Sequence, residues 1–316
     1  MRLPLALASS SSQPYDFLAI GENSLDRICV CPSFPLADSK QALVEYLELP
    51  GGQAATAAVA CARLGFRSAY LGACGEDAAG RQVADALRRE KVDARITVRP
   101  GSTTRTAVIL VDASSGQRAV LAVNGGGQSL DESSIDDSMF SGSRILLVDA
   151  TDVRFALRAA RAARAAGVRT LCDVDAPTPD VMALLREIDV VIAPASFVRL
   201  ATGCEDPRAG VEALSRETGA AAVIATAGEN GVSAWCAGEF VAVAARPTRA
   251  VDTTGAGDAF RGGFAAGWLH AGPGEPDLPA LLQFASKVAA LSCTRYGAQA
   301  GLPTLADLGL SPESRV

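Results

Sequence analysis

Short runs of β-branched and apolar residues alternate with Ala/Leu/Arg-rich segments of helical length through most of this 316-residue chain. That alternation constrains the fold more than any other feature. DFLAIG (16–21) reads as a strand and AATAAVACARLG (54–65) as a helix ending at Gly65; SAYLGACG (68–75) and AAGRQVADALRRE (78–90) repeat the pair. RILLVDA (144–150) precedes VRFALRAARAARAAG (153–167), and RTLCDVD (169–175) precedes PDVMALLRE (179–187). VVIAP (190–194), the helical SFVRLATG and PRAGVEALSRETG (207–219), and AAVIATAG (221–228) continue the series. Strand–helix units of this length predict a mainly parallel sheet with helices on both faces, a three-layer αβα domain. One such α/β domain accounts for residues 13–310.

Two segments break the alternation. RICVCPSFPLADSKQALVEYLELPGG (27–52) has strand-like ends and no good helix, and TRTAVILVDASSGQRAVLAV (104–123) reads as a hairpin around DASSGQ. Both are expected to leave the parallel sheet and pair as a small β-sheet lid, at about 27–50 and 102–125. The apolar part of MRLPLALASSSS is shorter than a signal-peptide core. Residues 1–12 are expected to form a disordered extension.

A net charge of −6 argues against a nucleic-acid or anionic-membrane surface, and no apolar run approaches the length of a membrane helix. The eight cysteines are scattered, mostly in apolar runs, as buried free thiols of a reducing, cytoplasmic compartment would be. Cys29 and Cys31 lack a second pair at zinc spacing. Arg154, Arg158, Arg161 and Arg164 fall on one helical stripe, which on an acidic protein reads as a solvated outer face.

The stretch VDTTGAGDAF (251–260) carries the chemistry. A strand ending at Val251 and a helix beginning near Ala256 would leave Gly255, Ala256 and Gly257 at the helix N-terminus, where unpaired N–H groups and the helix dipole make an anion site. Asp258 would sit within the first turn, beside that anion. As a cap or dipole partner it is worth about 0.3–1 kcal/mol, yet a carboxylate against a phosphate is repulsive, and Thr253 or Thr254 would cap more naturally. A general base taking a proton from a hydroxyl that attacks the phosphate explains the placement better. Other nucleotide and nucleophile motifs fail: none of Lys40, Lys91 and Lys287 follows a Gly as a Walker loop needs, Phe260 stands where a dinucleotide fingerprint needs its third Gly, and His270 is the single histidine.

DTTGAGDAFRGGF closely resembles the C-terminal signature of the ribokinase-like (PfkB) carbohydrate kinases, and GGQAATAAVACARLGFRSAYLGACGEDAAG (51–80) is similar to their N-terminal signature. With GENSLDRI (21–28), ATAGENGVSAW (225–235) and CTRYGAQAGLP (293–303), the resemblance covers about residues 16–305. It implies a Rossmann-like domain with a β lid and transfer of the γ-phosphoryl group of ATP, with Mg2+, to a hydroxyl of a small-molecule sugar. By resemblance Asp258 matches the base, and Gly255, Ala256 and Gly257 the anion hole. Asp26 matches a hydroxyl acceptor beside Asn23, Gly51 and Gly52 the turn that admits the sugar, and Gln53 and Thr56 sugar-facing positions. Arg118 resembles a lid arginine that reaches substrate. Thr226, Gly228, Gly231, Thr253 and Thr254, with Gly255 and Gly257, would border ATP, and Asp252 and Thr254 match a stretch that in some members binds a monovalent cation such as K+. A homodimer is expected by the same analogy, since an open lid exposes strand edges.

The chain also departs from the family. Ala195 and Val198, in PASFV, replace an Asn-x-x-Glu pair that organises Mg2+ and phosphate, as in ketohexokinase-like members. Thr56 stands where Asn is usual, which weakens the expectation of strict fructose recognition. A nucleoside kinase on the same scaffold and a non-catalytic sugar- or nucleotide-binding protein stay open as alternatives.

Overall fold

The computed structural model describes residues 1–9, 13–123, 130 and 138–311. β1 (Phe17–Ile20) is followed by β2 (Ser24–Cys31), β3 (Glu45–Gly51), α1 (Gln53–Arg63), β4 (Ser68–Gly75), α2 (Ala78–Arg89), β5 (Asp93–Arg99), β6 (Thr106–Asp112) and β7 (Arg118–Val123). Then come α3 (Ser138–Ser141), β8 (Ile145–Asp149), α4 (Val153–Ala165), β9 (Arg169–Asp173), α5 (Pro179–Leu185), β10 (Val190–Pro194), α6 (Ala195–Thr202) and α7 (Pro207–Thr218). β11 (Ala222–Thr226), β12 (Val232–Cys236), β13 (Glu239–Val243), α8 (Ala256–Ala271) and α9 (Leu278–Ser292) complete the fold.

The main sheet runs β13-β12-β11-β10-β9-β8-β1-β4-β5. All pairings from β11 to β5 are parallel, and β12 and β13 add an antiparallel edge. β4 and β8 are buried along their whole length, as strands covered on both faces must be, which explains their unbroken apolar sequences. One face packs on α1, α8 and α9 through Phe17, Tyr70, Phe264 and Trp268; the other packs on α4 to α7 through Phe155, Phe197 and Val211. Asp77, Asp152, Thr178 and Asp206 cap α2, α4, α5 and α7, so the helix starts are written in the sequence. Arg161 and Arg164 both reach Glu187 on the outside of the molecule, in keeping with a solvated face.

The two excursions do form a second sheet, in the order β3-β2-β6-β7. β2 pairs antiparallel with β3 and parallel with β6, and β6 and β7 form the expected hairpin. Ile28, Val30, Ile109 and Val111 give this lid its own small core, against which Tyr296 packs. Residues 124 and 125, at the end of the expected lid, lie outside the described residues.

Two expectations need correction. The strand before the glycine loop ends at Val243 rather than Val251. Residues 244–251 instead cross back as irregular chain until Val251 N–H meets Cys293 O at 2.8 Å. Pro247 and the run RPTR offer no alternating apolar face to extend a strand. The N-terminal segment also differs. Residues 1–9 lie on the domain rather than projecting from it: Leu3 is fully buried, Leu7 nearly so, and Leu3 N–H and Met1 O bond Pro276 O and Leu278 N–H at the start of α9. Arg144 and Arg169 hold Ala8 O and Ala6 O. The apolar residues too few for a signal core serve as a strap. Residues 10–12 of the expected extension lie outside the described residues.

Candidate active site

Parallel strands share a C-terminal edge, and the chain leaves β1 in one direction for β4 and returns later to β8 on its other side. Such a reversal opens a crevice at the strand ends. Carboxylates crowd it. Asp149, at the end of β8, accepts Glu22 N–H at 2.6 Å and Thr151 N–H at 2.9 Å, tying the exits of β1 and β8 together. Glu22 pairs with Arg105 at 3.0 Å, but burial and the nearby Asp149 outweigh that cation and push its carboxyl up to about 8. Asp173 ends β9, and Asp175 follows it, accepting Gln53 Nε2 at 2.8 Å.

The N-terminus of α8 points at this crevice. Gly255 precedes it with φ 75°, a left-handed conformation that favours glycine, and a Cβ there would stand 2.6 Å from that of Ala298. Ala256 N–H turns back to Thr253 O at 3.2 Å, and Ala259 N–H starts the helical ladder on Gly255 O at 2.8 Å. Between them the N–H groups of Gly257 and Asp258 have no intrahelical acceptor, so these two, rather than that of Ala256, are presented to an anion. No side chain caps the helix.

Asp258 occupies the first turn, and burial raises its carboxyl to about 6. Arg261, one turn on, places Nη1 at 3.9 Å from Asp258 and Nη2 at 2.7 Å from Asp173. Its fork also bonds Ile192 O at 3.1 and 3.2 Å. Asp173 is pushed well above the usual carboxylate range by burial, and a hydrogen bond from it favours the ionised form of Asp258. One arginine, one carboxylate and one protonated carboxyl make the group neutral, which is how such charges survive in a buried site.

The loop before the helix is anchored by Asp252. It is fully buried and accepts Thr254 N–H (2.8 Å), Thr254 Oγ1 (2.7 Å) and Gly297 N–H (2.8 Å), neutral donors all three. Arg118 reaches across from the lid to hydrogen-bond Thr253. Asp26, at the hinge of β2, is nearly buried, accepts Ser24 Oγ at 2.7 Å and is raised by burial to about 6. Its carboxylate lies where a side chain at Gly51 would go, and Gly52 (φ 93°) turns against the backbone of Glu22 and Asn23. Asp26, Gly51, Gly52 and Gln53 thus cluster where β2 and β3 meet the start of α1, and the lid arginine reaches the loop that leads into Asp258. Two other sequence candidates face inward. Asn23 donates to Tyr70 Oη (2.7 Å) and Ala73 O (2.9 Å), and fully buried Thr56 accepts Gln299 Nε2 at 3.5 Å.

Residues 16–305 match the sequence profile of the pfkB family carbohydrate kinases. The chain belongs to that family. It is 28% identical to the ribokinase of Haemophilus influenzae over 296 residues, 90% of this chain and 94% of that protein. It is 33% identical to the fructokinase of Klebsiella pneumoniae over 283 residues, covering 83% and 91%. The structure of Arabidopsis thaliana ribokinase complexed with ribose and ATP shares the fold, with a TM-score of 0.78 at 23% identity over 93% of this chain and 97% of that one. This pfkB kinase is accordingly a phosphotransferase with an alcohol acceptor, from a family that uses ATP.

In this pfkB kinase the β11 end lies on the same sheet edge, with Thr226 opposite Pro194. A tight turn follows, in which Gly228 (φ 56°) faces open space while Gly231 packs against the backbone of residues 243–245. Ala195 and Val198 begin α6, and Val198 is buried. Glu22, Asp149, Asp173 and Arg261 escaped sequence reasoning. A signal existed: LLVDA and TLCDVD each end a buried strand run in Asp, and Arg261 interrupts an otherwise apolar helix.

Proposed function

We propose that this kinase transfers the γ-phosphoryl group of ATP to a hydroxyl of a neutral sugar, ketohexoses first, with Asp258 as general base. The observation that carries the reading is the Asp258 carboxylate, raised to about 6, beside the unpaired N–H groups that open α8. The acceptor O–H donates its proton to Asp258 as the oxygen bonds to phosphorus, and the bond to the ADP oxygen breaks. Gly257 and Asp258 N–H groups meet the charge on the transferring group. Asp26 accepts a second acceptor hydroxyl, and Arg118 swings with the lid to the phosphate side. The carboxylates of Asp26, Asp149 and Asp175 disfavour sugar acids and sugar phosphates; the fructokinase relative supports a ketohexose.

Bound ATP supplies the phosphoryl group, and Mg2+ neutralises its polyphosphate. Among the described residues no group of three or more His, Cys, Asp or Glu converges on a metal site, and Ala195 and Val198 carry no oxygen donor. An ion bound with ATP would gain no side-chain oxygen from those two positions. Asp252, buried with neutral donors alone, supports a monovalent cation such as K+ at the 252–254 loop. Exposed Val120, Leu121 and Val123 on the lid edge support a homodimer, and the free cysteines support a cytoplasmic setting. No helix among the described residues is long and apolar enough to cross a membrane.

The test is an ADP-release screen with Mg-ATP, with and without K+, against ketoses, aldoses, sugar acids and nucleosides, beside Asp258→Asn. Turnover is expected with neutral sugars, faster with K+, and lower by about 10²–10⁴-fold in the variant. Turnover with nucleosides alone would reassign the acceptor, and equal background in both proteins would sink the kinase reading.

A further inference from the structure

Arg261 sits in the first turns of α8, within an almost wholly apolar helix, and is 3% exposed. A guanidinium in such a place needs partners, and it has them on three elements. Its Nε and Nη2 bond Ile192 O on β10, Nη2 meets Asp173 on β9, and Nη1 faces Asp258 on its own helix. Gly257 leaves room for it: a Cβ at that position would stand 2.8 Å from Nη1. The two strands and the glycine hold the guanidinium at one point, so Asp258 always meets the same cation at the same side.

We infer that Arg261 is the positioning residue for Asp258: clamped by β9 and β10, it fixes the orientation of that carboxylate at the mouth of α8 and supplies the cation that keeps it charged. Its need is clear from the surroundings. From β1 comes Glu22 with its partner Arg105, from β8 Asp149, from β9 Asp173 and Asp175, and from α8 Arg261 itself. Arg261 thus stands as the cation nearest to Asp258 amid four other carboxyl groups. Lysine cannot replace it fully, since one ammonium cannot span Ile192 O, Asp173 and Asp258 in the plane a guanidinium fork provides. A purely structural role, as the partner of Asp173, makes a different prediction. It would leave the proton affinity of Asp258 untouched.

The inference rests on the proposed role of Asp258, but its first test needs no substrate. Wild-type protein, Arg261→Lys and Arg261→Gln would be labelled with carboxyl-13C aspartate and titrated by NMR, with Asp258→Asn identifying the signal. Arg261→Gln is expected to raise the proton affinity of Asp258 at least tenfold, and Arg261→Lys to leave it within a few-fold of wild type. Asp173→Asn/Arg261→Gln replaces the contact between the two side chains by neutral amides that can still hydrogen-bond each other, so it covers the case in which the single variant does not fold, and it leaves the Asp258 carboxylate without its cation. It too should titrate at higher pH. An unmoved titration in either glutamine variant would overturn the inference, as would failure of the double variant to fold, which would mark Arg261 as a packing element. ADP release with D-fructose and D-ribose gives the second readout: kcat of Arg261→Gln should fall most at low pH and recover towards pH 9, with KM for ATP little changed. Undiminished turnover in Asp258→Asn would refute the base role alone, whereas an unmoved Asp258 titration would refute only the role of Arg261.

Discussion

At the scale of single residues, Asp258 and Glu22 show how burial sets chemistry. Asp258 must be ionised to accept a proton, and its carboxyl is raised to about 6. kcat/KM should therefore fall with an acid limb near pH 6, approaching tenfold per pH unit below it. Because Asp173 shares its proton field, the limb belongs to the pair. A pH–rate profile with constant activity down to pH 4 would contradict this. Glu22 behaves differently. Its folded carboxyl is raised from 4.5 to about 8, so the folded state binds more protons than the unfolded chain between those values. Stability from this group is present below pH 4.5 and is lost progressively as pH rises through 8. Glu22→Gln should flatten that decline, measured as urea midpoints from pH 5 to 8; parallel curves for the two proteins would rule it out.

At the scale of elements, the position of α8 decides everything the site does. Its start is aimed by a loop whose anchor, Asp252, reaches Gly297, and its body lies close on α1 because Gly262 lacks a side chain. A Cβ at Gly262 would stand 2.6 Å from that of Ala60 and 2.7 Å from Ala57 O. Gly262→Val should destabilise the fold by about 1–3 kcal/mol through overpacking, and should also lower kcat by tilting the helix that carries Asp258. Denaturant unfolding gives the first quantity and steady-state rates the second. Much of this was legible: GDAFRGGFAAGW reads as a helix that starts in glycines and packs closely. The partner of Gly262 was not legible, because a contact across 202 residues leaves no local pattern. Nor was the end of β13 at Val243, since FVAVAA looks equally strand-like to its last residue.

At the scale of the whole molecule, a doubly wound sheet, a four-stranded lid and an N-terminal strap make one body. The strap is the part that composition misjudged. MRLPLALA carries enough apolar residues to be buried and too few to announce where, and its seat is supplied by distant parts of the chain: the start of α9, Cys236 of β12, Arg144 and Arg169. Leu3 is fully enclosed, so Leu3→Ala should cost about 2–5 kcal/mol, read as a lowered urea midpoint. An unchanged midpoint would show that the strap adds nothing to the fold. The lid, in contrast, was legible as a break in alternation, although its order β3-β2-β6-β7 was not.

What the sequence by itself determined is whatever depends on neighbours in the chain. The strand–helix alternation, the helix caps, the glycine turn before α8 and the carboxylate in its first turn are all local, and local chemistry repeats wherever the same residues stand together. The tertiary structure alone decided which side chains meet Asp258. Asp173 and Arg261 are 88 residues apart, and their 2.7 Å contact exists only because β9 ends and α8 begins at one edge of a folded sheet. Asn23 and Thr56 illustrate the same point. Each sits in a motif that resembles a sugar site, and only the fold decides its neighbours: the Asn23 amide donates to Tyr70 and Ala73 while its buried Oδ1 meets no protein donor among the described residues, and Thr56 accepts from Gln299.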